Sequence, residues 1–440
     1  MIKFGRMFKK KYIWFFVFLL SFVLIIIKSC FLLSRPFADN DEGIYLTTFL
    51  LVAKGYKLYK EVFFSQLPGF FLLVYPGFII FGKTLLAVRL TIFLWSLIGL
   101  LAIVWLMKEL KKIPLSLIVI LLVWLMPKYF NQATIVQSDS LVTCLSVLSL
   151  ASLLRFKNKN KIFWFFLAVV FFSLATITKL DITVGLILIF ILFKQLKKNH
   201  NKNWPFFLTI LFLIPIIGAV STGYFGYRSV IDNTIKFRIQ AANYYPIAPG
   251  LFWQYLTADR WLLSLTIILL IALVVNLFFK KISKNSVLII FWCLSTVIFI
   301  IFFRPIFPHH LSMLTVPLTL SIIMLFSDIS KLEKKPKLIF LLIFFLLIMQ
   351  VITIQKSKNN LTSKEIKLIN FIKKNTNKDD FIVTDEAKFY YLTGRLPPPP
   401  LSDISFVRVR SGNLNKKNFK EIVDKYKPKL IIRWNERLAF

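Results

Sequence analysis

Acidic side chains are scarce in this chain, so the positions where they gather are informative. The sequence has 20 Asp and Glu against 56 Lys and Arg among its 440 residues. Asp39, Asp41 and Glu42 stand together in the run ADNDEGIY, and Asp139 stands in the run QSDS. Each run borders a long apolar segment. A carboxylate at the outer edge of a membrane suits a general base that removes a proton from a hydroxyl or an amine.

An ordinary interfacial charge is the alternative explanation for each of these acids. Ionisable groups at membrane depth are costly and mark functional sites by default. The alternative fits Asp139 better than the Asp41–Glu42 pair, because an aromatic-rich segment surrounds the pair. Tyr45 and the aromatic residues that follow it can stack against a sugar ring, or they can anchor the segment at the membrane interface.

Cations that a phosphate would need are predicted on the same face of the membrane as these acids. They are Lys179, Arg228, Lys236, Arg238 and Arg304. An Arg or Lys there can hold a lipid phosphate and stabilise it as it leaves. His309 and His310 can hydrogen-bond to phosphate or sugar, or form an ordinary polar interface. Metal ligation is disfavoured because the spacing fixes no acidic partner for these histidines, and we predict neither a metal site nor a soluble cofactor.

Apolar segments long enough to cross a membrane must position these residues. A helix needs about 20 mostly apolar residues to do so, and 57% of this chain is hydrophobic. Lysine clusters between the segments predict the cytoplasmic loops, which accounts for the net charge of +36 without nucleic acid as a partner. Eleven spans follow, at 12–33, 84–107, 113–128, 139–155, 162–178, 182–196, 204–223, 261–279, 285–303, 309–327 and 338–354.

The spans predict an all-α polytopic protein of the cell membrane, with a cytoplasmic N-terminus and an external C-terminus. The first span follows basic residues and lacks a small-residue cleavage site, so it is expected to remain as an anchor. The transmembrane domain is expected at 1–355, with a first outer loop at 34–83. Within that loop, Gly69–Phe81 is apolar but too short to span, and we expect it at the outer interface, packed on the bundle.

The tail, 356–440, has the pattern of a small extracytoplasmic α/β domain. Thr362 and Glu365 have capping-box spacing ahead of an amphipathic stretch. Phe381–Thr384 and Lys429–Trp434 are typical of short strands, and Asn415–Tyr426 is typical of a helix. The three cysteines, Cys30, Cys144 and Cys293, lie in or beside apolar spans, which favours packing residues over a disulfide framework.

The order of these features resembles the membrane glycosyltransferases of the GT-C fold. The closest group is that of the protein O-mannosyltransferases and aminoarabinose transferases, similar to glycosyltransferase family 39. After the Asp-Glu pair come Gly55-Tyr56-Lys57-Leu58-Tyr59, Pro68, Phe81-Gly82, Arg89, Asp139, Lys179 and the segment His309–Pro317. The likeness covers roughly residues 12–330.

The resemblance implies an enzyme that moves a sugar from a polyprenyl-phosphate carrier to a protein, lipid or glycan acceptor on the outer face. It implies that Asp41 is the base, with Glu42 beside it and Asp139 as a second acid lining the cavity. Lys179 and Arg304 are implied contacts of the carrier phosphate. The expected substrate contacts also include Tyr45, Arg89 and His309.

One departure from the family pattern concerns the first outer loop. Many members carry Lys-Pro-Pro or His-Pro-Pro there, whereas this chain has Ser65-Gln66-Leu67-Pro68-Gly69, so one expected phosphate cation is missing. Two alternative functions stay open. A transporter or flippase of lipid-linked sugars would need polar groups near the bilayer midplane, but 12–27 and 261–279 are apolar through their centres. A surface-polysaccharide polymerase or ligase would differ in its acceptor more than in its chemistry.

Overall fold

The computed structural model describes residues 19–30, 33, 37–199, 210–245, 249–352 and 361–438. Up to residue 199 its helices are α1 (Leu19–Cys30), α2 (Asn40–Ala53), α3 (Pro68–Ile80), α4 (Leu85–Glu109), α5 (Ser116–Leu125), α6 (Pro127–Gln132), α7 (Asp139–Lys159), α8 (Ile162–Lys179) and α9 (Gly185–Asn199). The central part has α10 (Leu213–Phe225), α11 (Tyr227–Ile231), α12 (Phe237–Tyr244), α13 (Pro249–Ala258), α14 (Arg260–Phe278), α15 (Lys284–Phe302), α16 (Thr315–Ser330) and α17 (Pro336–Ile352). A π-helical turn joins α11 to α12, and a 3₁₀ segment, Pro308–Leu314, leads directly into α16.

The membrane part agrees with the sequence prediction. Six helical segments of the described chain are long and apolar enough to cross a membrane: α4, α7, α8, α14, α15 and Pro308–Ser330. Shorter apolar helices include Leu19–Cys30, Ile113–Leu125, Leu213–Phe225 and Lys337–Met349. A helix therefore lies in each predicted span, although parts of the first, seventh and last spans fall outside the described residues. The chain is a multi-pass membrane protein.

The third predicted span is shorter than expected. It was placed at 113–128, but α5 ends at Leu125, because Met126 precedes a proline and takes an extended conformation. A new short helix, α6, begins at Pro127. After α6 the chain continues through Gln137 and Ser138 to the start of α7.

The innermost helix of the bundle is α7. Its most apolar stretch is 94% buried, compared with 22% for α14, which lies at the periphery. It packs against α4 on one side and α8 on the other. A Cβ added at Gly99 of α4 would lie 3.2 Å from Cys144 Cβ of α7, so the two backbones approach closely. The start of α7 is therefore a buried and well-defined position, and Asp139 occupies it.

The first outer loop contains two helices, α2 and α3. The N-cap of α2 is Asp39, whose Oδ1 accepts a hydrogen bond from Glu42 N at 3.0 Å. Helix α3 packs against α4 and α8, in agreement with the predicted packing on the bundle. Gly69 makes this approach possible, since a Cβ there would come within 2.6 Å of Thr178 Oγ1. The depth of α3 in the membrane stays a prediction.

The tail contains the predicted elements α18 (Ser363–Asn375), β1 (Ile382–Thr384), α21 (Lys416–Tyr426) and β2 (Leu430–Ile432). It also contains two short helices that were not predicted, α19 (Lys388–Thr393) and α20 (Phe406–Arg410). Thr362 and Glu365 form the predicted capping box at the start of α18. The two strands pair in parallel, with Ile382 opposite Leu430. The tail has a small hydrophobic core of its own, which contains Val383, Leu401, Ile404, Leu414 and Leu438.

The tail packs directly on the first outer loop. Helix α19 lies against α2, and a Cβ on Gly43 would come within 2.7 Å of Lys388 N. Ser402 Oγ donates a hydrogen bond of 2.8 Å to the carbonyl of Phe63. The tail is thus placed over the start of α2, where the acidic cluster lies.

Candidate active site

A cavity of about 560 Å³ lies between the start of α2, the end of α8, helix α12, the segment 303–310 and the tail. Of the residues predicted from the sequence, Asp41, Tyr45, Lys179 and His309 line it. Its other polar residues include Asp39, Asn40, Gln66, Gln137, Ser138, Arg238, Tyr245, His310, Asp403, Ser405, Arg410 and Arg437. The cavity therefore brings together acids and cations that are separated by hundreds of residues in the chain.

Two carboxylates, Asp39 and Asp41, face the cavity from the start of α2. Gln137 Nε2 donates to Asp39 Oδ2 at 3.2 Å and to Asp41 Oδ2 at 3.1 Å. The pKa of Asp39 is raised to about 7, first by burial among the surrounding protein atoms and then by the charge of Asp41. Asp39 belongs to the predicted acidic cluster, but no role was predicted for it.

Glu42 and Arg89 were expected to be a catalytic acid and a substrate contact, and the structure corrects both expectations. Neither lines the cavity, and both side chains are fully buried. Arg89 donates from Nε to Glu42 Oε1 at 2.8 Å and from Nη2 to Oε2 at 2.6 Å. The backbone amides of Ala38 and Val136 donate to the same two oxygens, at 2.7 and 3.0 Å. This ion pair holds the start of α2 against α4.

The reason for the difference lies in helix geometry. Adjacent residues of an α-helix point about 100° apart, because a turn holds 3.6 residues. When Asp41 faces the cavity, Glu42 must face elsewhere, and it faces Arg89. The pair in the sequence is thus one cavity residue followed by one that positions the helix.

Asp139 was expected to line the cavity, and it instead lies behind Lys179. Lys179 Nζ is 2.6 Å from Asp139 Oδ1, and the Asp139 side chain is fully buried. Its neighbours Gln137 and Ser138 line the cavity, whereas Asp139 does not. Since Lys179 is the last residue of α8, Asp139 fixes the ammonium group at the end of that helix. The ion pair therefore positions a cation at the cavity wall.

Arg238 supplies the second cation at the cavity wall, in place of the predicted Arg304. Arg304 does not line the cavity, although its neighbour Pro305 does. The guanidinium of Arg238 lies 5.2 Å from the centroid of the Phe303 ring, and Lys179 Nζ lies 5.6 Å from the same ring. Among the described residues, no acidic side chain forms an ion pair with Arg238. The sequence analysis had both arginines on this face, but only their positions in space distinguish them.

Tyr45 and Gln66 fill the place where the family pattern carries a cation. Gln66 Nε2 donates a hydrogen bond of 2.7 Å to Tyr45 Oη, and Tyr59 Oη donates to the Gln66 carbonyl at 2.8 Å. A neutral amide is therefore held at this part of the wall. Arg238 and Lys179 are cations that line the same cavity as Gln66.

The tail contributes a wall that sequence reasoning did not assign. Asp403 lines the cavity, and its Oδ1 accepts from Ser405 N at 2.8 Å. Arg408 holds this segment in place: its guanidinium stacks 3.6 Å over the Phe63 ring and donates to the carbonyl of Asp403 at 2.7 Å. The proline run before Asp403 indicates a rigid segment in the sequence. It does not indicate which part of the bundle this segment contacts.

A second, apolar cavity of about 270 Å³ adjoins the first. It lies between α3, α8, α10 and α11, and Leu67, Ile177, Leu180 and Ile214 are among its lining residues. Two consecutive residues line different cavities: Lys179 lines the polar cavity and Leu180 lines the apolar one. Gln66 and Leu67 are divided in the same way. The two cavities are thus lined by consecutive residues at the end of α8 and before α3.

Comparison with known proteins shows what this chain is similar to. Residues 65–221 match the family of dolichyl-phosphate-mannose-protein mannosyltransferases. The structure of ArnT from Cupriavidus metallidurans in the apo state superposes with a TM-score of 0.62 at 12% identity, covering 87% of this chain and 85% of that one. The same protein bound to undecaprenyl phosphate gives 0.64 at 10% identity, covering 95% and 89%. No curated protein matches the chain.

The resemblance drawn from the sequence is confirmed at the level of fold. The chain has the polytopic GT-C architecture of ArnT, and both comparisons agree with the glycosyltransferase class predicted from the motifs. The range matched by the family contains Asp139 and Lys179 and begins after Asp41. The role of Asp41 therefore depends on its position in the cavity.

Proposed function

We propose that the chain is an integral membrane glycosyltransferase that moves a sugar from a polyprenyl-phosphate carrier to an acceptor on the outer face. One observation carries the proposal: Asp41 shares a cavity with the cations Lys179 and Arg238. A base and an anion site in one enclosed space are what transfer of a sugar from a phosphate requires.

The carrier phosphate is proposed to bind at Lys179 and Arg238. Asp139 holds Lys179 with its ammonium group at the wall, and Arg238 reaches the cavity with no acidic partner among the described residues. A phosphate between them would form charge-assisted hydrogen bonds, which are roughly twice as strong as neutral ones. His309, on the same wall, is a further proposed contact.

The isoprenoid chain of the carrier is proposed to lie in the adjoining apolar cavity. Leu180 and Leu67 line that cavity directly beside Lys179 and Gln66 of the polar cavity. A lipid phosphate bound at Lys179 would therefore have apolar surface next to its first isoprene units. The ArnT structure solved with undecaprenyl phosphate supports a lipid-linked donor for this fold.

Asp41 is proposed as the base. Its carboxylate takes the proton from an acceptor hydroxyl or amine, and the acceptor oxygen or nitrogen bonds to the anomeric carbon. The bond from that carbon to the phosphate oxygen breaks, and its electron pair stays on the phosphate, where Lys179 and Arg238 stabilise the additional charge. The proton on Asp41 then passes to water.

The acceptor is proposed to enter from the side of the tail, since the tail forms the outer wall over Asp41. We propose that 356–440 lies outside the cell and the N-terminus in the cytoplasm, which the lysine clusters support. More than one sugar would fit the wall of the cavity. So would more than one class of acceptor among proteins, lipids and glycans.

The test is release of polyprenyl phosphate. Purified protein in detergent is incubated with polyprenyl-phosphate sugars labelled in the sugar, together with extracted membrane and envelope acceptors. The proposal expects free carrier phosphate and labelled acceptor to form together. Movement of intact labelled donor across a proteoliposome membrane without release of the phosphate would instead support the flippase alternative.

A further inference from the structure

One side-chain amide is shared by two carboxylates at the start of α2. Gln137 Nε2 lies 3.2 Å from Asp39 Oδ2 and 3.1 Å from Asp41 Oδ2, and both acids line the cavity. The two oxygens therefore lie within hydrogen-bond distance of the same nitrogen atom. The negative charge of Asp41 therefore disfavours the ionised form of Asp39.

The surrounding charges do not remove the repulsion between these acids. Arg89 is engaged by Glu42, Lys179 by Asp139, and Arg437 by Glu386. The pKa of Asp39 is raised to about 7, first by burial and then by the charge of Asp41. The hydrogen bonds that Asp39 accepts from Glu42 N and Gln137 favour its ionised form, but they are outweighed.

The remaining groups around the pair favour Asp41 as the ionised member. Asp41 lies close enough to Lys179 for their charges to attract. The other titratable or charged groups that face this part of the cavity come from α2, α12, the segment before α16 and the tail. They are Tyr45, Arg238, Tyr245, His309, His310, Asp403, Arg410 and Arg437.

We infer that Asp39 and Asp41 hold one proton between them at neutral pH, with Asp39 as the protonated positioning residue and Asp41 as the ionised base. This inference rests on the proposed function. A neutral Asp39 leaves a single negative charge beside the donor phosphate. When Asp39 ionises, a second negative charge faces the phosphate, and donor binding weakens.

The substitution Asp39→Asn tests the inference cleanly, because Asn is as good an N-cap as Asp. The variant keeps the oxygen that caps α2, and an amide that does not titrate replaces the oxygen that accepts from Gln137. Donor KM and kcat are measured from pH 5.5 to 9 for wild type, Asp39→Asn and Asp379→Asn. Asp379 is a matched control, since its side chain is 99% exposed.

We expect the donor KM of the wild type and of the control to rise with pH above about 7, by at most about tenfold per pH unit for one group. In Asp39→Asn the rise should be absent. An unchanged pH profile in the variant would overturn the inference. A folded variant that is inactive at every pH would also overturn it, since activity would then require the ionised form of Asp39.

A second measurement does not depend on the activity. Infrared difference spectra of purified protein should show a protonated carboxyl that is lost near pH 7 in the wild type and is missing in Asp39→Asn. Identical spectra from both proteins would refute the proton held between Asp39 and Asp41. If the carboxyl titrates as expected while no sugar is transferred, the proposed function fails and the shared proton stands.

Discussion

Lys179 Nζ lies 2.6 Å from Asp139 Oδ1 in a buried ion pair that joins the end of α8 to the start of α7. The two residues are separated by 40 positions in the chain. One of them reaches the cavity and the other does not. The pair thus converts two neighbouring helix ends into a fixed cation, and this arrangement makes a specific prediction.

Asp139→Asn should destabilise the protein and weaken donor binding. Removal of one partner of a buried ion pair typically costs about 3–5 kcal/mol, since the other charge stays buried alone. Thermal unfolding in detergent and binding of polyprenyl phosphate measure the two effects. The double variant Asp139→Asn/Lys179→Met should recover much of the stability and none of the binding. Equal instability of the single and double variants would contradict this account of the pair.

Glu42→Gln should affect folding more than chemistry. The substitution removes the charge that Arg89 pairs with, so we expect a lower unfolding temperature and lower expression. The molecules that fold should keep most of their turnover, because Glu42 does not reach the cavity. Activity per folded molecule, counted by size-exclusion chromatography, is the measurement. A loss of roughly 10²–10⁴-fold in a well-folded variant would restore Glu42 as a catalytic acid.

Arg238→Gln and Arg304→Gln form a matched pair that locates the phosphate site. A hydrogen bond to a charged group contributes about 1.5–3 kcal/mol, so loss of Arg238 should weaken carrier binding by roughly 10- to 100-fold. Arg304 does not line the cavity, and its replacement should change binding little. The affinity of each purified variant for polyprenyl phosphate shows which of the two arginines contacts the phosphate. The reverse order of effects would return the phosphate contact to Arg304.

The membrane orientation gives a prediction that is independent of the site. Reporter domains fused after residue 440 should be active only if the reporter works outside the cytoplasm. The lysine clusters between the spans are the reason for this expectation. Activity of a cytoplasm-only reporter at the same position would place the tail, and with it the cavity mouth, on the other side of the membrane.

The elements of this fold were accessible from the sequence because their signals are local. Apolar length predicted the spans, and the Thr362–Glu365 spacing predicted the start of α18, where the capping box lies. A proline after Met126 shortened one span, which apolar length alone does not register. Local signals therefore predicted where helices lie better than where they end.

The site was predicted in part, and the errors share a cause. Asp41, Tyr45, Lys179 and His309 reach the cavity, whereas Glu42, Arg89, Asp139 and Arg304 do not. Which side of a helix faces a cavity depends on packing against distant elements. The Gln137 amide between Asp39 and Asp41, and Asp403 from the tail, depend on contacts between distant parts of the chain. No local pattern predicts such contacts.

The most direct test of the account is the turnover of Asp41→Asn, measured with carrier binding on the same purified protein. Asn keeps the shape of the side chain and its acceptor oxygen toward Gln137, but it cannot take a proton. We predict that the variant folds, binds polyprenyl phosphate as the wild type does, and loses sugar transfer by roughly 10²–10⁴-fold. The Asp379→Asn control should transfer normally. Near-normal turnover by a well-folded Asp41→Asn protein would contradict the assignment of Asp41 as the base.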